Sequence, residues 1–116
     1  MSHPSVQTLD PAEVARLLAQ GEILLIDVRE PAEFAVERIP GALLLPLSTF
    51  DATLLPADGP RRVVFHCAGG KRSLAAAERR LAAGAASATH LGGGLQAWKA
   101  AGLPLITTDP ATGLPR

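Results

Sequence analysis

Ile23-Leu24-Leu25-Ile26 runs into Asp27-Val28 with no polar residue before the aspartate. A strand with one wet face alternates apolar and polar residues, so an unbroken run predicts a strand covered on both faces, as in the interior of a parallel sheet. A chain of 116 residues, 47% of them apolar, can supply one such sheet and the helices that cover it. Only 3% of the residues are aromatic, so Ala, Leu, Val and Ile must fill that core, which suits helices packed closely on a sheet better than a base-stacking platform.

The remaining punctuation agrees. Asp10-Pro11-Ala12-Glu13 combines a capping acid, a proline for the first turn and a carboxylate three residues on, predicting a helix to about Gln20 that Gly21 stops. Glu30-Pro31-Ala32-Glu33 repeats that chemistry as an independent helix start. Ile39-Pro40-Gly41-Ala42 is a turn, Ala42 to Leu47 a second short strand, and Pro56 to Pro60 a loop. Arg61 to Cys67 is a third strand, and Ser73 to about Gly84 a helix with Leu74, Ala77 and Leu81 on its apolar stripe. Ser87 to Leu91 is a weak strand and Leu95 to Ala101 a short helix closed by Gly102. Strand and helix alternate, hence an α/β fold with a mostly parallel sheet. We expect one domain over residues 1–106 and a flexible tail over 107–116.

Charge and cysteine usage narrow the function classes. Eleven basic and eleven acidic side chains cancel, which removes the field that a nucleic-acid or anionic-membrane binder uses. Leu81 to Trp98 is the longest uncharged stretch and approaches membrane-spanning length, but its alanines and glycines, with His90 and Gln96, read as soluble structure rather than a membrane span. No apolar block or basic start marks Met1 to Pro11 for export. One cysteine forms no internal disulfide and three scattered histidines have no metal-ligand spacing, so we expect a reducing, cytoplasmic setting, no metal and no cofactor.

That cysteine stands where chemistry is expected. Ligands of open parallel α/β sheets bind beyond the carboxyl ends of the strands, and Cys67 ends one, ahead of Ala68-Gly69-Gly70-Lys71-Arg72-Ser73. The two glycines let the backbone curl its N–H groups inward, and the following helix adds the positive end of its dipole. With Lys71 and Arg72 adding charge, the thiol should lose its proton readily, and a thiolate is the reactive form. A nucleophilic Cys67 therefore competes with the alternative of a small buried hydrophobe, and the context favours the nucleophile.

At these residues the chain resembles the single-domain rhodaneses, a sulfurtransferase family. Cys67-x-x-Gly70-x-Arg72-Ser73 matches the family's active-site loop. Ile26-Asp27-Val28-Arg29-Glu30, Glu33-Phe34, Ile39-Pro40-Gly41-Ala42, Leu91-x-Gly93-Gly94-x-x-x-Trp98 and Gly102-Leu103-Pro104 follow in the family's order. The resemblance implies a five-stranded parallel sheet with helices on both faces, and a persulfide carried on Cys67. It also implies a substrate-binding loop over Ala68, Gly69, Gly70, Lys71, Arg72 and Ser73. The donor would be a small sulfur-containing anion such as thiosulfate. With no second cysteine, the acceptor must be external: a thiol, a cyanide-like thiophile or a sulfur-relay protein. Four residues separate Cys67 from Arg72, one fewer than in the phosphatases that resemble rhodaneses, which ranks sulfur transfer above phosphoryl transfer. A non-catalytic sulfur-relay module is the second reading.

Other residues read as structural. Asp27 and Arg29 look like a scaffold pair, and Arg38 stands where many relatives have histidine and receives no role. His66 should point away from Cys67 by strand alternation, His90 has no partner evident in the sequence, Gly92-Gly93-Gly94 suits close packing and helix entry, and Trp98 is expected to anchor the core.

Overall fold

The computed structural model describes residues 5–55, 59–109 and 111–115; Met1–Pro4 and the Pro56–Asp58 part of the expected loop lie outside them. In chain order these residues form β1 (Ser5–Leu9), α1 (Pro11–Ala19), β2 (Ile23–Asp27), α2 (Pro31–Val36), β3 (Glu37–Arg38), β4 (Leu43–Leu44), β5 (Arg62–His66), α3 (Lys71–Ala82), β6 (Ser87–Leu91), α4 (Gly94–Ala100) and β7 (Ile106–Thr107). Five strands make a parallel sheet in the order β1-β6-β5-β2-β4, and β3 pairs with β7 in a separate antiparallel ribbon.

The unbroken apolar run in β2 is used as expected. Ile23 and Leu25 join Val14 and Leu17 of α1 and Leu95 and Trp98 of α4 on one face. Ile26 packs on the other with Val63, Phe65 and Cys67 and with Ala76 and Ala77 of α3. The two sets alternate along the strand, so each face of the sheet buries its own core.

Local chemistry sets the boundaries. Asp10 Oδ1 accepts the Glu13 N–H at 2.8 Å, and Gly21, at φ 68°, takes the chain out of α1. The Glu33 carboxylate accepts the Glu30 N–H at 3.0 Å to open α2. The strand expected over Ala42 to Leu47 is shorter, because Pro46 has no N–H to give. Leu45 and Leu47 still donate to Asp27 O and Val28 O, at 2.9 and 3.0 Å.

Three differences from the sequence expectations have physical causes. Ser5–Leu9, which carries no continuous apolar run, forms the edge strand β1, held by pairing in register with all of β6 from Ser87 to Leu91. On α3 the stripe facing the sheet is Ser73, Ala76, Ala77 and Arg80, while Leu74 is exposed; small side chains let the helix approach the sheet closely. Thr107, expected to begin a flexible tail, pairs with Glu37, and Thr108 donates to Val36 O at 2.8 Å. We propose that the domain extends past residue 106 through the β3–β7 ribbon, with the flexible tail beginning near Ala111. Amide hydrogen exchange checks it, with fast exchange from Ala111 onward as the expected result and slow exchange there as the contrary one.

Candidate functional site

Cys67 leaves the carboxyl end of β5, and Gly70, at φ 106°, caps the start of α3 in a conformation that favours glycine. The turn between them wraps around the sulfur. Gly70 N–H points at Cys67 Sγ from 3.1 Å and Ser73 N–H from 3.3 Å, and Ser73 Oγ lies 3.6 Å from Sγ. Cys67 is only 1% exposed, so its sulfur lies on the floor of this cradle and not at the rim.

Burial pushes the Cys67 thiol up. The Ser73 N–H and hydroxyl, with the Gly70 and Gly69 N–H groups, together outweigh it and bring the thiol below its ordinary value. These hydrogen bonds lead that lowering, and the Arg72 charge interacts with the Cys67 sulfur as well. Lys71 is exposed, and the Arg72 guanidinium is held by Glu33, with Nη1 to Oε1 at 2.7 Å and Nη2 to Oε2 at 2.9 Å. That fork ties the start of α3 to α2.

Glu33 reports the fork. Its carboxyl is held down at about 2, first by the hydrogen bonds from Arg72, against the effect of burial. A carboxyl depressed in the folded state adds stability above its unfolded value, and that stability is lost as pH falls toward 2. His66 and His90, both pushed below 6.5 first by burial, act in the same direction from higher pH, because the unfolded chain takes up protons that the folded chain refuses. The expected result is a melting temperature that declines in acid, with a further decline below about pH 4.3 that Arg72→Gln weakens. Because the pair is about one-third exposed, its share stays under about 1 kcal/mol. Melting curves against pH check both points.

The glycine-rich turn before α4 supports this loop, in keeping with the close packing and helix entry expected of it. Leu95 N–H donates to Cys67 O at 2.8 Å and Gln96 N–H to Ala68 O at 3.0 Å. Gly94 has φ 57°, and a Cβ there would run into Cys67 O and lie 2.8 Å from the Ala68 carbonyl carbon. Gly94→Ala is therefore expected to cost about 3 kcal/mol, through left-handed strain and backbone overlap, and to disturb the thiol's titration. Denaturant unfolding with a thiolate titration checks it.

Beneath the site lies a buried ionic pair. Arg29 Nη2 donates to Asp27 Oδ2 at 2.8 Å and to Glu37 O at 2.6 Å, and Arg29 Nε reaches both Asp27 oxygens at 3.1 Å. His66, fully buried, has Nε2 3.4 Å from Asp27 Oδ2 without forming a hydrogen bond, and its Nδ1 is 3.4 Å from Cys67 O. It makes no contact with Sγ of the kind a Cys–His dyad needs. Arg38 stacks on Phe34, with its guanidinium 5.2 Å from the ring centre, and Trp98 is buried and donates to Pro104 O at 2.8 Å.

One residue at the site has no local signal in the sequence. His90 Nδ1 is 2.8 Å from Ser73 Oγ, which places a histidine of β6 one hydroxyl away from the sulfur. The two are 17 positions apart, and only the pairing of β6 with β5 and the seating of α3 bring them together. Beside the loop, a cavity of 340 Å³ is lined by Ala68, Glu33, Glu37, Gln96 and Lys99 among others.

A strand-ending cysteine in a ring of amides, on a five-stranded parallel sheet covered by helices, is the arrangement on which comparison with known proteins bears. Residues 10–101 match the family model of the rhodanese-like domain, and the chain belongs to that family. A sulfurtransferase of Allochromatium vinosum is 34% identical over 105 residues, covering 90% of this chain and 98% of that protein. An uncharacterized protein of Synechocystis is 40% identical over 104 residues; the match covers 90% of this chain but only 58% of the Synechocystis protein. A crystal structure of a rhodanese-related protein from Thermoplasma volcanium superposes with a TM-score of 0.74 at 26% identity, covering 86% of this chain and 97% of that one. Among the described residues, no helix is long and apolar enough to cross a membrane.

Proposed function

We propose that this protein is a sulfurtransferase that carries sulfane sulfur on Cys67 as a persulfide. The observation that carries the reading is the convergence of the Gly70 and Ser73 N–H groups on Sγ. These donors are already in place for negative charge on sulfur, so little reorganisation accompanies its formation.

The thiolate attacks the outer sulfur of a donor such as thiosulfate. A new S–S bond forms at Sγ while the donor's own S–S bond breaks, and sulfite leaves with that electron pair. An external thiolate or cyanide-like acceptor then attacks the outer sulfur of the persulfide, and the electron pair of the breaking bond returns to Sγ. The two half-reactions share one site, giving ping-pong kinetics. The Ala68–Ser73 loop binds the anion: Gly69, Gly70 and Ser73 through their N–H groups, exposed Lys71 by attraction, and Arg72 by a charge that also interacts with the Cys67 sulfur. Ala68 adds no side-chain charge at the nucleophile, so the loop N–H groups together with Lys71 and Arg72 carry the binding of thiosulfate. We place the protein in the cytoplasm, where thiol acceptors stay reduced.

Incubation with thiosulfate followed by intact-mass measurement is expected to show one added sulfur, removed again by cyanide. An unchanged mass with several sulfane donors overturns the reading. Full loading from a persulfidated partner protein alone would select a sulfur-relay module in its place.

A further inference from the structure

A thiol that is 1% exposed needs a way to lose its proton, and the hydrogen bonds around it continue in one direction to the surface. Cys67 Sγ lies 3.6 Å from Ser73 Oγ, Ser73 Oγ 2.8 Å from His90 Nδ1, and His90 Nε2 3.2 Å from Thr8 Oγ1. Thr8, on the edge strand β1, is exposed. We propose that this chain is the route by which the Cys67 proton reaches solvent, and that His90 is a positioning residue that acts through Ser73 on the thiolate.

The proposal rests on the reading of Cys67 as a sulfur carrier and adds residues to that site. In the thiol state each group donates toward the surface: Sγ–H to Ser73 Oγ, Ser73 O–H to His90 Nδ1, and His90 Nε2–H to Thr8 Oγ1. When the proton leaves, the S–H bond breaks and its electron pair stays on sulfur. Ser73 takes that proton and passes its own to Nδ1, Nε2 gives its proton to Thr8, and the Thr8 hydroxyl proton goes to water. The imidazole is neutral before and after, with its tautomer reversed.

Every hydrogen bond then points inward. Thr8 donates to Nε2, Nδ1–H donates to Ser73 Oγ, and the Ser73 hydroxyl donates to the thiolate. The Gly70 carbonyl, 3.1 Å from Ser73 Oγ, competes for the hydroxyl hydrogen. A donor at Nδ1 does not remove that competitor, but it occupies a Ser73 lone pair and leaves the hydrogen free for sulfur.

The surroundings suit a neutral relay. Burial alone pushes His90 below its ordinary value, so the ring stays uncharged as it changes tautomer. β1 brings no titratable side chain to it, and on β5 its register partner is Phe65, while His66 takes the opposite face. Of the charged groups at the start of α3, Lys71 is exposed and Arg72 is held by Glu33. Arg80, further along the same helix, is buried and has a partner of its own.

The test needs no sulfur donor. Nitrogen NMR of isotope-labelled histidine in the wild-type protein, followed across the Cys67 titration, is expected to show His90 changing from the Nε2–H to the Nδ1–H tautomer, with no change in Cys67→Ala. The same tautomer on both sides of the titration overturns the proposal. His90→Leu is expected to raise the midpoint of thiolate absorbance, leaving about tenfold less thiolate below it, and His90→Asn, which keeps a partner for Ser73, to recover part of that shift. A merely structural role would lower activity without moving the midpoint. If the tautomer changes as expected but thiosulfate adds no sulfur, the relay stands and the carrier reading falls.

Discussion

Cys67→Ser is expected to take up no sulfur and to lower turnover with thiosulfate by at least about a thousandfold, because a serine hydroxyl stays protonated where the thiol ionises. The fold should survive. The new Oγ occupies the position to which the Gly70 and Ser73 N–H groups already donate, so the cradle keeps its hydrogen bonds and loses only the polarisable sulfur and its packing. We expect a stability change of about 1 kcal/mol at most. Steady-state assays with denaturant unfolding of the same preparation check both halves: a variant that unfolds would contradict the stability expectation, and one that keeps turning over would contradict the assignment of the sulfur as reactive atom.

The largest stability effect is expected at the buried pair. Asp27 is fully buried and Arg29 is 3% exposed, and the aspartate is the side-chain partner of that guanidinium. Asp27→Ala leaves a cation in the interior with the Glu37 carbonyl as its remaining hydrogen-bond acceptor among the described residues, a loss of about 3–5 kcal/mol. A typical domain has only about 5–15 kcal/mol in total, so the variant should unfold at markedly lower denaturant concentration. Removing both charges in Asp27→Ala/Arg29→Ala should cost much less than the sum of the two single changes Asp27→Ala and Arg29→Ala, since no unpaired ion remains. Urea unfolding of the four proteins in this cycle measures the coupling, and additive losses would show that the charges are not stabilised by each other.

What could be read from the chain follows from how local each signal is. The continuous apolar run at Ile23–Ile26 reports a strand buried on both faces, because covering removes the need for polar alternation. Asp10, Glu33 and Gly21 report helix ends, because orphan N–H groups and left-handed turns are satisfied within a few residues. Cys67 with its glycine-rich loop was legible for the same reason: strand end, turn and helix start are contiguous, and the N–H groups that meet the sulfur come from within six positions of it.

Tertiary structure decided the rest. β1 exists because β6 offers a free edge, and mixed residues such as Ser5, Gln7 and Thr8 become a strand only when an edge is there to pair with. Arg72 reads as a free cation until α2 brings Glu33 to it across 39 positions. His90 and Ser73 are neighbours through sheet order, and Gly94 is essential because α4 packs its backbone against the Cys67 and Ala68 carbonyls. Local hydrogen-bonding chemistry leaves a periodic trace in the sequence, whereas contacts made between elements depend on how those elements are arranged, and single side chains carry no mark of that arrangement.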